Sequence, residues 1–139
     1  MGYVWKHYLC FAKKLLEDSV YTDSSTNYRV AISRAYYAAY HVASEFREKY
    51  NLPDGKVGAT HERLANAYKT MQRKDKAFQK ICHRIGNNLD RLRVCRCRAD
   101  YEGNWECTEC TARKAVRDAD TIISSVEKLE NNYFPKSIQ

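Results

Sequence analysis

The stretch Tyr28-Arg-Val-Ala-Ile-Ser-Arg-Ala-Tyr-Tyr-Ala-Ala-Tyr-His-Val-Ala-Ser-Glu-Phe46 decides the fold. Its apolar residues Tyr28, Ala31, Ile32, Ala35, Ala39, Val42, Ala43 and Phe46 recur every three or four positions, the period of one helical face. Ser24, Ser25, Thr26 and Asn27 offer N-caps ahead of it, so a long helix is expected from there to about Tyr50. Alanines 31, 35, 38, 39 and 43 let a neighbouring backbone approach closely, with Tyr36, Tyr37 and Tyr40 as large rings beside the groove. This predicts the central helix.

The same period extends outward on both sides. Trp5, Tyr8, Leu9, Ala12, Leu15 and Leu16 predict a first helix over Val4 to Asp18. After the turn signals Asn51-Leu-Pro-Asp-Gly and Gly58, Leu64, Ala67, Tyr68 and Met71 predict a short third helix starting at Thr60. Asp75 can cap a fourth carrying Phe78, Ile81, Cys82, Ile85, Leu89 and Leu92 and ending between Val94 and Arg98, before a polar break from Ala99 to Asn104. Gly86 lies inside it, a weakness of about 1 kcal/mol against alanine on propensity alone. Ala112, Ala115, Val116, Ala119, Ile122, Ile123, Val126 and Leu129 mark a fifth helix, stopped by Asn131-Asn132 and Pro135. No segment alternates with period two. The expected fold is all-α, an antiparallel bundle of four to five helices forming a single domain over residues 1–139.

Composition narrows the functional classes. With 44% hydrophobic and 29% charged residues, and no apolar run near the about 20 residues of a membrane span, a membrane protein is excluded. The N-terminus lacks the features of a secretory signal, which places the protein in the cytoplasm by default. Its cysteines then read as reduced thiols or metal ligands before disulfides. The formal charge of +7 favours polyanionic partners.

Basic residues concentrate at 73, 74, 76, 80, 84, 91, 93, 96 and 98, against the acids Asp75 and Asp90. A solvated helix face explains part of this. Arg91, Arg93, Arg96 and Arg98 crowd the end of the fourth helix, where carbonyl dipoles attract cations and guanidinium groups can grip phosphates in pairs of hydrogen bonds. Cys95-x-Cys97 and Cys107-x-x-Cys110 bracket the loop at 95–110. Four thiolates there could bind one structural zinc, although residues two apart on a helix point about 200° apart unless the last turn unwinds. Free thiols, or a redox disulfide between Cys107 and Cys110, are the alternatives; Cys10 and Cys82 fall on apolar stripes as core residues. Arg34, Tyr37 and His41 share one face of the second helix, and His61 sits in the first turn of the third, as a cap or facing a cleft. No serine-histidine-aspartate arrangement, phosphate-cradling glycine loop or paired carboxylate set is recognisable.

Tyr28 to His41, Thr60-His61 and Arg96-x-x-Ala-Asp-Tyr101, in this order and spacing, resemble the HEPN (higher eukaryotes and prokaryotes nucleotide-binding) family, in the subgroup with Ser-Arg-Ala-Tyr-Tyr and Arg-x-x-Ala-Asp-Tyr motifs. The resemblance implies a homodimer that binds RNA or nucleotides. In many members it implies a ribonuclease needing no metal for catalysis, acting as the toxin or defence component beside a minimal nucleotidyltransferase. Catalytic members carry an arginine followed after four to six residues by a histidine, in the region matching Arg96. Here no histidine follows His83, and Asp100 and Tyr101 stand in its place. The candidate catalytic set is therefore Arg96, Asp100 and Tyr101, completed by His41 or His61 across a dimer cleft, with Arg34, Arg91, Arg93, Arg98 and Tyr37 as nucleic-acid contacts. The rival readings are a non-catalytic interaction module of a two-gene system and a structural-zinc or thiol redox protein.

Overall fold

A computed structural model describes residues 2–17, 23–55 and 58–135. It contains α1 (Lys6–Glu17), α2 (Ser24–Lys49), α3 (Thr60–Lys69), α4 (Lys76–Tyr101) and α5 (Glu109–Tyr133), and no strand among the described residues. The expected end of the first helix at Asp18 lies outside them. Among them, no helix is long and apolar enough to cross a membrane.

Local chemistry sets the boundaries. Asp23 caps α2 by accepting from the Ser25 amide, Asp75 caps α4 by accepting from the Ala77 and Phe78 amides, and Thr108 caps α5 by accepting from the Thr111 amide. Asn51, at φ 53°, turns the chain out of α2 in the left-handed conformation that asparagine tolerates. Boundaries differ from the sequence reading: α1 begins at Lys6 instead of Val4, α5 runs through Asn131 and Asn132 to Tyr133, and α4 does not stop by Arg98 but runs to Tyr101, taking Ala99, Asp100 and Tyr101 into the helix. Ala99 is buried and supplies the apolar contact that continues it.

Helix α2 packs on every other helix. Its alanines 31, 35, 38, 39 and 43 have no exposed surface, so helix axes can come close along the whole stripe. Helix α1 runs antiparallel to α2, with Trp5 against His41 and Tyr8 against Arg34. Helix α4 is also antiparallel to α2, with Arg96 against Tyr36 and Ser33 against Asp100. By contrast α3 and α5 run parallel to α2: Tyr36 meets His61 and Ala43 meets Tyr68, while Lys49 meets Glu130 at the shared C-terminal end. The loop after α2 makes this possible by folding back along the bundle, anchored by buried Leu52 and by Arg63, whose Nε donates to the Gly55 carbonyl (2.9 Å). Cys82 is core as expected, whereas Cys10 is exposed, because α1 turns its Leu9, Ala12 and Leu15 edge inward.

Candidate functional site

Three helices bring the site together beside the middle of α2. The last turns of α4 carry Arg96, Asp100 and Tyr101. The middle of α2 carries Ser33, Arg34, Tyr36, Tyr37, Tyr40 and His41, and the first turn of α3 carries His61.

Arg96 is the centre. It is 5% exposed, and its Nε is buried with no hydrogen-bond partner. The guanidinium carbon lies 5.1 Å from the Tyr36 ring centre, 5.5 Å from Tyr37 and 5.9 Å from Tyr101. Ring faces partly replace the lost hydration of a buried cation. Its Nη1 lies 3.7 Å from the Asp100 carboxylate, which also accepts from Ser33 Oγ (3.3 Å), and Arg34 Nη2 donates to that same hydroxyl (3.2 Å). The guanidinium therefore has remaining N–H donors beside a single nearby carboxylate.

His61 does not cap α3, whose N-cap residue is Ala59. It faces the cleft: Nδ1 is 2.7 Å from the Tyr36 hydroxyl, and the ring lies 4.5 Å from Tyr40 and 5.9 Å from Tyr37. His41 stacks on Trp5 (3.6 Å between ring centres, 14° between planes) and touches Tyr37 and Tyr40. Arg34 sits over Tyr8 and Tyr37. One chain gathers Arg96, Tyr36 and His61 by itself, because α3 runs parallel to α2 and delivers its first turn to the middle of that helix.

Burial and neighbouring charges favour the neutral form of both imidazoles. Burial, then the positive charges of Arg96 and Arg93 and the neighbouring His41, lower the His61 pKa from its ordinary value, and burial lowers that of His41 against a smaller opposing effect of Glu45. Burial raises the Tyr36 pKa, so its hydroxyl stays protonated. A histidine whose folded pKa lies below the unfolded value of about 6.5 binds a proton more readily unfolded, so its stabilising contribution is present above that pH and is lost on acidification. Unfolding in urea at pH 7.5, 6.5 and 5.5 should show stability falling with pH, and His41→Gln/His61→Gln should flatten that dependence; an unchanged slope would place its origin elsewhere.

The other basic residues separate by direction. Arg93 turns toward α3, where it meets Glu62 (3.6 Å), and it also pairs with Asp90 (3.0 Å) on its own helix, so it is already neutralised. Arg91 and Arg98 point outward from the bundle, and Arg91 donates to Asn88 on its own helix. The cysteines disperse as well. Helix α4 stays regular through Cys95 and Cys97, so these two thiols face different directions; Cys107 is buried and Cys110 exposed. Burial, with Cys107 nearby, pushes the Cys95 thiol up to about 11. Among the described residues no cluster of three or more histidine, cysteine or acidic side chains is placed to hold a metal.

Arg29, which the sequence reading did not single out, orders the loop after α4. Its Nη1 donates to the carbonyls of Ala99 (2.9 Å) and Glu102 (3.1 Å), and Nη2 to that of Trp105 (2.6 Å), with the Arg98 and Gly103 carbonyls at 3.4 and 3.5 Å. One guanidinium from the start of α2 thus holds the C-terminal carbonyls of α4 and the chain beyond. Its partners lie about 70 residues away, and no local pattern marks them. Arg29→Ala should cost about 1.5–3 kcal/mol in urea unfolding, the range for hydrogen bonds to a charged group, and Arg29→Lys should recover little because an ammonium cannot span several carbonyls.

The family model for the HEPN domain matches residues 6–129. The chain belongs to the HEPN family. No curated protein and no solved structure shows significant similarity to it. The matched segment takes in all of α1 to α4 and most of α5, so the whole site described above lies within the HEPN domain.

Proposed function

We propose that this HEPN protein binds RNA or nucleotides at the Arg96 site and that it is a metal-independent endoribonuclease, in the Ala-Asp-Tyr subgroup of its family. One observation carries the reading: a buried guanidinium, its Nε unpartnered, shares a wall of tyrosines with His61. These are the two groups that cleavage through the ribose 2′-hydroxyl needs. With the Nδ1 proton of His61 donated to the Tyr36 oxygen, Nε2 carries a lone pair that takes the 2′-hydroxyl proton. The 2′-oxygen bonds to phosphorus, Arg96 stabilises the added charge on the pentavalent phosphate, and the 5′-oxygen leaves with a proton from the Tyr101 hydroxyl. The products are a 2′,3′-cyclic phosphate and a 5′-hydroxyl. Asp100 orients Arg96, and His41 borders the same aromatic wall.

The family resemblance supports a cytoplasmic homodimer that works with a minimal nucleotidyltransferase in a two-gene toxin or defence system. The second reading is a non-catalytic interaction module, favoured by one feature: Asp100, at the place of the family's late histidine, is occupied by Ser33 and Arg96. The test is cleavage of a mixed RNA pool by the purified chain in excess EDTA, with Arg96→Ala as control. Cleavage by the wild type alone supports the ribonuclease; equal survival of the RNA with both proteins favours the interaction module.

A further inference from the structure

Helix α4 carries a second feature, on the face turned away from Arg96. Lys76, Lys80, Arg84, Arg91 and Arg98 are all exposed and, with Asn87 and Val94 between them, recur every three or four residues along the full helix. At 1.5 Å per residue this is a straight row about 33 Å long with roughly one cation per turn. The acids of α4 do not neutralise it: Asp90 is taken by Lys69 and Arg93, and Asp100 by Arg96. Among the described residues no carboxylate pairs with any of the five. By contrast, Lys6, Lys13 and Lys114 on α1 and α5 meet Glu127, Asp120 and Asp118.

We propose that this ridge is a track for the sugar-phosphate backbone of single-stranded RNA, leading the strand to the Arg96 site; the inference rests on the RNA-binding reading above and deepens it. A single file of uncompensated cations follows one phosphate strand, whereas a broad patch would suit the two strands of a duplex. The row ends at Tyr101, whose side chain is 77% exposed and whose ring is 5.9 Å from the Arg96 guanidinium carbon. An exposed ring stacks on an unpaired base, and a base inside a duplex offers it no free face. Tyr101 therefore joins the outer ridge to the buried arginine. Because the backbone is held by charge alone, the track has no base preference along its length.

The test is fluorescence anisotropy of a labelled oligouridine with the full chain over a range of salt concentrations. Five phosphate contacts on a single strand give a slope of log K against log salt of about −3.5. Lys80→Gln/Arg84→Gln/Arg91→Gln should make that slope shallower by about 2. The matched variant Lys6→Gln/Lys13→Gln/Lys114→Gln, with the same net charge, should leave it near wild type, and Tyr101→Ala should weaken binding at least about fivefold. Circular dichroism verifies that each variant is folded. Equal slopes in the two triple variants overturn the track, as does a duplex of the same length binding as tightly as the single strand, or poly-glutamate binding more tightly than either. Loss of cleavage alone, with the slopes as expected, defeats the nuclease reading and leaves the track standing. Absence of any RNA binding by the wild type overturns both.

Discussion

Arg96→Ala is expected to lower RNA cleavage by about two to three orders of magnitude, the usual effect of removing one group that stabilises transition-state charge. The size of the effect follows from the surroundings. The guanidinium is enclosed by Tyr36, Tyr37 and Tyr101, with water largely excluded, so its charge acts over short distances in a weakly screening medium. Arg96→Lys should not restore activity: an ammonium is a compact, strongly hydrated charge that cannot stack on these rings or present a planar pair of donors. Single-turnover cleavage, compared with thermal unfolding of the same samples, separates lost chemistry from lost fold. Wild-type rates in a folded Arg96→Ala protein would remove Arg96 from the mechanism.

The second large effect concerns Gly86, where the two levels of reasoning predict opposite signs. On helix propensity, Gly86→Ala in the middle of α4 should stabilise by about 1 kcal/mol. In the folded protein a Cβ at this position would stand 2.6 Å from the Lys69 amide nitrogen and 2.7 Å from the Ala65 carbonyl oxygen, both backbone atoms of α3. Backbone cannot swing aside as a side chain can. The two helices must separate, which also loosens the Lys69–Asp90 and Glu62–Arg93 bridges spanning that junction. Gly86→Ala is therefore expected to destabilise by about 1–3 kcal/mol net, the range for overpacking a well-fitted contact, seen as a lower urea midpoint. A stabilised variant would mean that α3 does not cross α4 so closely. Since α3 also delivers His61, displacement of α3 should weaken cleavage at the same time.

These two residues show how sequence and structure divide the information. Arg96 was legible because a motif marks it, and the basic clustering before it drew attention to the same helix end. Its burial was not legible: basic residues near a helix terminus look alike in sequence, yet Arg96 faces the tyrosines of α2, Arg93 the acids beside α3, and Arg98 the solvent. Helical phase and the position of neighbours decide that, and only the packed bundle supplies the second. His61 was ambiguous for the same reason, since the first turn of a helix can cap itself or point away, and the choice depends on what stands opposite. Arg29 carried no local signal at all.

The sequence by itself determined the helices, their apolar faces and the Asp75 cap, because these depend on side chains within a few residues of one another: the alanine and tyrosine stripe of α2, Asp75 ahead of α4, the apolar row of α5. It also determined family membership through the order of its motifs. Only the tertiary structure decided that α3 runs parallel to α2, that α4 continues to Tyr101, that Gly86 is a point of contact, and that Arg96, Tyr36 and His61 meet in one chain. Each of these rests on contacts between residues far apart along the chain, whose free energy depends on three-dimensional proximity that no local period encodes.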